Sequence, residues 1–366
     1  MSDDTDIPEP DRVPGAPHPR HTPQIFGQDE AIASFADAMG HGRLHHAWLL
    51  TGPRGVGKAT LAWAIARKLL GDQASAALPG LAVDGTDPVT RRLAALSEPR
   101  LHLTRRPWDE KTKRLRAEIT VDEIRTLLSF FHLSAAEGGH RVAIIDAADD
   151  MNTAAANALL KMLEEPPAGA VILMVAHQPA RLLPTIRSRC RVLRLAPLAP
   201  AEMAQAMAQA GAEPGKDAEA LAALAGGSVG EALRLAGQDG LPVYQSIVDL
   251  FGRLPDFDRP RARALADAAA GRPGADGDPF DLVVTLLDLF LSRTARAGLI
   301  GAPLEQAARG EAQLMARISP DDRAARAWAS AQADLGARVR AGRAVNLDPS
   351  ALVMDMLTTL AQVPAR

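Results

Sequence analysis

Short apolar runs alternate with helix-like segments between residues 47 and 195 of the chain. Such an alternation predicts an α/β fold, in which a doubly wound parallel sheet is covered by helices on both faces. The hydrophobic content of 47% is sufficient for a sizeable core. The predicted strands are Ala47–Leu50, Leu101–Thr104, Arg141–Asp146, Val171–Ala176 and Arg191–Leu195.

After Pro197 the pattern becomes helical throughout. It predicts a small helical domain over residues 198–240 and a larger all-α domain over residues 241–366. Residues 1–20 are polar and Pro-rich and are interpreted as a flexible tail, which leaves residues 21–197 as the α/β core. The longer C-terminal helices are expected at Val243–Leu254, Pro279–Ala297, Pro303–Arg317, Ser319–Ala341 and Pro349–Ala361.

A glycine-rich turn follows the first predicted strand and leads into a predicted helix, Leu61–Leu70. Strand, glycine-rich turn, Gly-Lys and helix together form the context of a phosphate-binding P-loop. Backbone N–H groups of such a turn donate to phosphate oxygens, and the lysine binds the outer phosphates. The candidate nucleotide-binding residues are Gly52, Gly55, Val56, Gly57, Lys58, Ala59 and Thr60, together with Asp146 at the end of the third strand.

Two positions depart from the pattern of an active P-loop enzyme. Ala59 stands where a hydroxyl normally binds the magnesium ion, and Thr60 points about 100° away on a helix. Asp146 occupies the strand end that holds the magnesium water shell, but Ala147 follows it where hydrolysing members of one large branch carry a glutamate. Asp149 and Asp150 lie beyond the strand end, so neither is a simple substitute.

Composition narrows the possible classes of function. The formal net charge is −3, so general attraction to polyanions is excluded, although a local basic face is not. Cys190 is the only cysteine, which excludes a disulfide framework and a Cys-rich zinc site. We see neither a signal peptide nor a membrane-spanning run, and we expect a cytoplasmic protein. No metal site is expected, since the adjacent His45 and His46 point to opposite faces of an extended chain.

The segment Arg105–Arg116 is strongly charged and is expected to be exposed. It is either a solvated loop or a contact with nucleic acid or a partner.

Several motifs together resemble the clamp-loader branch of the AAA+ ATPases over roughly residues 22–235. The P-loop and Asp146 are joined by a Leu-Leu-Lys-Met-Leu-Glu-Glu-Pro-Pro run at residues 159–167 and by Ser188-Arg189-Cys190. Asn346-Leu347-Asp348-Pro349 before the terminal helix is similar to the last domain of bacterial loader subunits. The resemblance implies an AAA+ P-loop domain, a helical lid domain and a C-terminal collar domain that mediates oligomerisation, with the boundaries given above.

What departs from the family pattern indicates the kind of subunit. Ala59 and Ala147 lack catalytic groups, and motor subunits would carry a phosphate-sensing arginine at Gly230, whereas Ser188-Arg189-Cys190 is intact. The resemblance therefore implies a non-hydrolysing, stator-like subunit within the DNA polymerase III complex. Arg189, with Ser188 beside it, would act as an arginine finger on nucleotide bound by a neighbouring subunit. Such fingers change rates by about 10³–10⁵.

The implied partners are the gamma/tau motor subunits and the delta subunit, with the sliding clamp and primed DNA reached through the assembled complex. ATP or ADP would bind weakly or not at all, and whether magnesium accompanies it stays open. The zinc module of many relatives is not expected, because its four cysteines are absent.

Two alternatives remain at this point. In the first, Thr60 and Asp149 replace the missing groups and the protein is an active ATPase, such as a motor subunit. In the second, it is a plain scaffold that binds no nucleotide.

Overall fold

The computed structural model describes residues 8–14, 16–132, 139–212, 215–272, 274 and 277–363. The chain divides into two compact units, one of Met1–Gly211 with Ser228–Gly230 and the other of Ala212–Gly227 with Glu231–Arg366. The finer division into core, lid and collar domains stays a prediction.

A parallel sheet forms the centre of the first unit and, in the described part of the chain, has five strands in the order β2-β5-β6-β1-β7. This confirms the sheet predicted from the apolar runs, with strand ends within a residue of those expected. Strand β1 lies between β6 and β7, so the P-loop emerges from the interior of the sheet. The strands are β1 (Ala47–Thr51), β2 (Leu101–Arg105), β3 (Trp108–Asp109), β4 (Arg114–Leu115), β5 (Arg141–Asp146), β6 (Ala170–Ala176) and β7 (Arg191–Arg194).

Helices cover both faces of this sheet, which explains why β5 and β6 are apolar without alternation. Leu127 on one helix and Leu159 on another pack with Ile172 of β6 in one buried cluster. The helices of this unit are α1 (Asp29–Gly40), α2 (Lys58–Leu70), α3 (Gln73–Ala77), α4 (Pro88–Ala94), α5 (Val121–His132), α6 (Thr153–Glu164), α7 (Pro184–Arg187) and α8 (Pro200–Gln209).

The second unit is helical in all of its described elements. Its helices are α9 (Ala218–Ala225), α10 (Val229–Gly237), α11 (Gly240–Gly252), α12 (Arg259–Ala269), α13 (Pro279–Ile300), α14 (Glu311–Ile318), α15 (Asp322–Ala344) and α16 (Pro349–Leu360). Only the first two residues of α10 are grouped with the other unit. Phe251, Phe290 and Trp328 form an aromatic cluster in its core, with the two phenylalanine rings stacked 4.9 Å apart.

The N-terminal segment corrects one expectation. Residues 8–14 and 16–20 were expected to belong to a flexible tail, but they pack on the first unit. Ala16 and His18 are buried, and a 3₁₀ turn at Pro19–His21 is tied to α2 by Arg67, whose guanidinium donates to the carbonyls of Arg20 (3.2 Å) and Thr22 (2.8 Å). Residues 1–7 and 15 lie outside the described residues.

Two other segments also differ from expectation. The charged stretch Arg105–Arg116 contains a short antiparallel hairpin, β3–β4. The helix expected at Pro303–Arg317 begins only at Glu311, because the buried Glu311 carboxylate accepts the Ala307 backbone N–H (2.7 Å) that an earlier helical turn would use. Among the described residues, no helix is both long and apolar enough to cross a membrane.

Candidate nucleotide site and arginine finger

The P-loop has the backbone that its sequence predicts. It leaves the carboxyl end of β1 and enters α2 at Lys58, with positive φ at Gly52 (145°), Gly55 (76°) and Gly57 (100°). Glycine is required at Gly52 for a second reason, since a Cβ there would lie 2.4 Å from the Leu195 carbonyl oxygen. The loop is therefore held against the segment that follows β7.

Lys58 is buried and closes the loop on itself. Its Nζ donates to the carbonyls of Gly52 (2.8 Å) and Pro53 (2.5 Å). Burial lowers the pKa of Lys58 to about 8, while the carboxylates of Asp146 and Asp149 oppose that shift. Binding of a phosphate group by this ammonium would require Lys58 to give up its carbonyl partners.

The residues after Lys58 do not supply a hydroxyl side chain at the position where one normally binds the magnesium ion. Ala59 and Thr60 are the second and third residues of α2 and are half-buried. Val56 is buried, and its carbonyl accepts a 3.2 Å hydrogen bond from the Gln28 side chain, which also donates to the Ala196 carbonyl. The side chain of Gln28, the residue just before α1, therefore holds this part of the P-loop in place.

Asp146 ends β5 as expected and is buried beside Arg105 of β2 in the sheet register. Burial raises the pKa of Asp146 to about 7, the negative charge of Asp11 adds to the rise, and Lys58 opposes it. Around neutral pH, without a bound cation, the carboxyl is thus only partly ionised.

Asp149 has a structural role. Its two carboxylate oxygens accept the backbone N–H groups of His177 (2.9 Å) and Gln178 (3.0 Å) just after β6. A carboxylate engaged in this way joins two strand ends and is poorly placed to activate water. The arrangement disfavours Asp149 as a replacement for the glutamate missing at Ala147.

Sequence reasoning missed His177, which follows the carboxyl end of β6. Its Nδ1 is buried and has no hydrogen-bond partner among the described atoms. Burial, together with the cations of Lys58 and Arg54, lowers the pKa of His177 to about 4, so the ring is neutral at neutral pH. In the sequence, the only indication of a role for His177 was its position directly after the predicted strand Val171–Ala176.

Residues 228–230 contact the P-loop directly. The Ser228 hydroxyl donates to the Arg54 carbonyl (2.8 Å), and the Gly230 N–H donates to the Gly55 carbonyl (3.1 Å). A Cβ at Gly230 would lie 2.9 Å from the Gly55 Cα. An arginine at Gly230 is therefore incompatible with this packing unless the backbone shifts.

Residues 8–14 and 16–21, which we call the N-terminal strap, pass the same region. The Asp11 carboxylate is fully buried and accepts from Arg105 (2.6 Å) and from His18 (2.9 Å). Val13 lies 3.4 Å from the position that a Cβ on Gly230 would take. The strap thus brings a carboxylate and an apolar side chain to the carboxyl end of the sheet, where nucleotides bind in open α/β folds.

Arg189 and Ser188 lie apart from this cluster, in the turn between α7 and β7. Both side chains donate to the Thr185 carbonyl, Arg189 at 3.0 Å and Ser188 at 3.1 Å. Arg189 also forms an ion pair with Glu164 at the end of α6, with Nη2 and Oε1 2.7 Å apart. In the sheet register Trp48 pairs with Arg191 and Thr51 with Arg194.

This register separates Arg189 from its own P-loop. The P-loop follows the carboxyl end of β1, whereas Arg189 precedes the amino end of the adjacent parallel strand. Three residue steps at about 3.3 Å each place roughly 10 Å of strand between the two ends, before the connecting turns are added. The structure thus brings together the predicted nucleotide-site residues but not Arg189 and Ser188. Among the described residues, no group of three or more His, Cys, Asp or Glu side chains is placed to hold a metal ion.

Residues 27–199 match a family model described as DNA polymerase III, delta subunit. The chain is 40% identical over 211 residues to the DNA polymerase III subunit delta′ of Pseudomonas aeruginosa, a match covering 56% of this chain and 60% of that protein. It is 31% identical over 167 residues to the gamma/tau subunit of Mycobacterium tuberculosis, covering 45% of this chain and 27% of that protein.

A solved DNA polymerase III gamma subunit-related protein from Thermotoga maritima superposes with a TM-score of 0.40 at 18% identity, covering 90% of this chain and 99% of that one. The chain thus spans less than two thirds of the length of the curated relatives named above.

Proposed function

We propose that the chain is a non-hydrolysing, stator-like subunit of a bacterial clamp loader, as the match of residues 27–199 to the DNA polymerase III delta-subunit model and the similarity to a delta′ subunit support. The assembled loader would open the sliding clamp and place it on primed DNA in the cytoplasm. The proposed partners are the gamma/tau motor subunits and a delta subunit. The similarity to both delta′ and gamma/tau proteins supports this assignment to a loader.

One observation carries the non-hydrolysing part of the proposal: Lys58 binds the carbonyls of its own loop. The ammonium that should bind the outer phosphates is engaged, Ala59 offers no magnesium ligand, and Ala147 offers no base. The buried Asp11 carboxylate near Asp146 adds negative charge where phosphates would carry more. ATP or ADP would therefore bind weakly or not at all.

Arg189 supplies the positive contribution in this proposal. Because it lies at the opposite end of the strands from its own P-loop, it has to act on a nucleotide held by another subunit. A guanidinium placed on a γ-phosphate stabilises the charge that develops as the phosphoryl group transfers. Ser188 would support the turn that presents it.

The test is ATP binding and hydrolysis by the isolated protein with magnesium, compared with Lys58→Ala. We expect turnover no higher than that of the variant, with binding that is weak or undetectable, because the closed loop and the two alanines remove the groups needed for catalysis. The variant is its own control for contaminating ATPase, since only activity of this P-loop depends on Lys58.

Turnover that Lys58→Ala abolishes would contradict the proposal and favour an active ATPase in which Thr60 and Asp149 replace the missing groups. Analysis of nucleotide that copurifies with the protein separates weak binding from a scaffold that binds none.

A further inference from the structure

The Arg189 guanidinium is held from two sides within the first unit. Its Nη1 donates to the Thr185 carbonyl at 3.0 Å, and its Nη2 lies 2.7 Å from Oε1 of Glu164. These partners engage two of the five N–H donors that an arginine offers. They fix both the direction of the side chain and the rotation of its plane.

We propose that Glu164 is a positioning residue for Arg189, holding the guanidinium in the orientation in which it meets a phosphate bound by the neighbouring subunit. This inference rests on the proposed function, since it assigns Glu164 a task only if Arg189 acts in trans. Glu164 itself contacts no substrate and acts through Arg189.

The placement of Glu164 is not explained by stability. It is the last residue of α6, where a carboxylate faces the negative end of the helix dipole and is unfavourable. Its side chain is 51% exposed and that of Arg189 is 35% exposed, and ion pairs this accessible to water add little to folding stability. A role in orienting Arg189 accounts for a carboxylate at this site.

The chemistry of a finger makes orientation valuable. Arginine has a long side chain with many rotamers, and its planar fork donates usefully only when it is aligned with its acceptor. Small displacements of a catalytic group can cost large factors in rate, because alignment has to be recovered in each turnover. The Thr185 carbonyl alone would leave rotation about that single hydrogen bond, and Glu164 removes this freedom.

The chain offers a matched control beside Glu164. Glu165 has the same side chain, is exposed, and follows directly as the C-cap residue of α6, but it is not the partner of Arg189. Glu164→Gln removes the charge while keeping the shape, and Glu165→Gln makes the same chemical change one position away.

The experiment is steady-state ATP hydrolysis by a loader reconstituted from this chain with its gamma/tau and delta partners, in the presence of clamp and primed DNA. We expect Glu164→Gln to lower hydrolysis at the one site that Arg189 serves by about tenfold, and the total kcat by the share of that site, while the KM for ATP stays within about twofold, because finger geometry matters more in the transition state than in ATP binding. Glu165→Gln is expected to match the wild type.

A double variant excludes a merely structural role. If Glu164 acts only through Arg189, then Glu164→Gln with Arg189→Ala should be no slower than Arg189→Ala alone. A double variant slower than Arg189→Ala by the full Glu164→Gln factor would overturn the inference. Unchanged melting of each isolated variant shows that folding is not the cause of any loss.

The remaining outcomes distinguish a failure of the positioning role of Glu164 from a failure of the finger role of Arg189. If Arg189→Ala slows the loader but Glu164→Gln does not, positioning by Glu164 is overturned and the finger stands. Faster hydrolysis by Glu164→Gln would show that Glu164 restrains Arg189, which is the opposite of our inference. No effect of Arg189→Ala would remove the finger and this inference with it.

Discussion

Lys58 and Asp146 are charged side chains kept in a buried site where each is electrostatically strained. Burial lowers the pKa of Lys58 to about 8 and raises that of Asp146 to about 7. In the function that we propose, this cost remains although Ala59 and Ala147 lack the groups that would make the site catalytic, and Lys58 instead holds the loop closed.

The raised pKa of Asp146 makes a prediction about stability and pH. The folded protein holds this proton to about pH 7, whereas the unfolded chain releases it near 3.8, so raising the pH between these values favours unfolding. Above pH 7 the whole cost of the buried charge is present. Asp146→Asn should therefore stabilise the protein at pH 8 by about 1–2 kcal/mol, and by less at pH 5.

Thermal melting of wild type and Asp146→Asn at the two pH values measures this difference. Asp122→Asn is the control, because Asp122 is an exposed aspartate paired only with Arg125 on the same helix in the structure. A variant less stable than wild type at pH 8 would mean that ionised Asp146 contributes more through Lys58 than it loses through burial.

Among the secondary-structure elements, the strands were predictable and the short hairpin was not. Strands such as Ala170–Ala176 are buried on both faces and appear in the sequence as unbroken apolar runs. The hairpin has strands of two residues, too short to show alternation. The start of α14 was misplaced because the Glu311 side chain competes for a backbone N–H, which no pattern of apolar residues reveals.

The candidate site was predictable where its residues are contiguous. The P-loop and the strand-end Asp146 are local patterns with a known context. The contact of Gly230 with Gly55, the closure by Lys58 and the pairing of Glu164 with Arg189 join side chains and backbone that only the three-dimensional fold brings together. Sequence spacing alone therefore identified the residue types but not their partners.

The N-terminal strap is a whole segment whose packing could not be predicted from its sequence pattern. Its proline-rich, polar composition indicated a tail, yet the buried side chains of Asp11 and His18 pair with each other, and Asp11 also pairs with the half-buried Arg105. Removing Asp11 would leave the buried His18 imidazole without its carboxylate partner and would leave Arg105 with only the Glu9 carboxylate, 3.2 Å away. Groups left in this state are costly to a fold.

We predict that Asp11→Ala destabilises the first unit by about 2–4 kcal/mol. For a domain of this size such a loss lowers the melting temperature by roughly 4–16 °C. Thermal or urea denaturation followed by circular dichroism measures it, with Glu110→Ala as the control because Glu110 forms only an exposed pair with Lys113 in the structure. Equal stability of Asp11→Ala and wild type would restore the interpretation of residues 8–20 as a tail.

At the scale of the whole molecule, we propose different roles for the two ends of the parallel sheet. The carboxyl ends of the strands carry the closed P-loop, and the turn before β7 carries Arg189 at the other end. A subunit built in this way can lose its own catalysis while keeping the group it presents to a neighbour. The two ends should therefore respond differently to mutation once the complex is assembled.

In a reconstituted loader we expect Arg189→Ala to lower ATP hydrolysis at the one site that this arginine serves by at least about tenfold, since fingers contribute up to about 10³–10⁵ at such a site. The other sites continue to turn over, so the total ATPase rate should fall by the share of that one site. Lys58→Ala should leave the same rate within about twofold, because its ammonium binds carbonyls of its own loop. Both variants should assemble as the wild type does, which gel filtration of the complex checks.

A large loss with Lys58→Ala would show that this P-loop binds nucleotide productively in the complex, and an unchanged rate with Arg189→Ala would show that the loader's catalytic arginines come from other subunits. The contrast between the two variants tests the division of roles more strictly than either alone, because a general defect in folding or assembly would reduce both rates together.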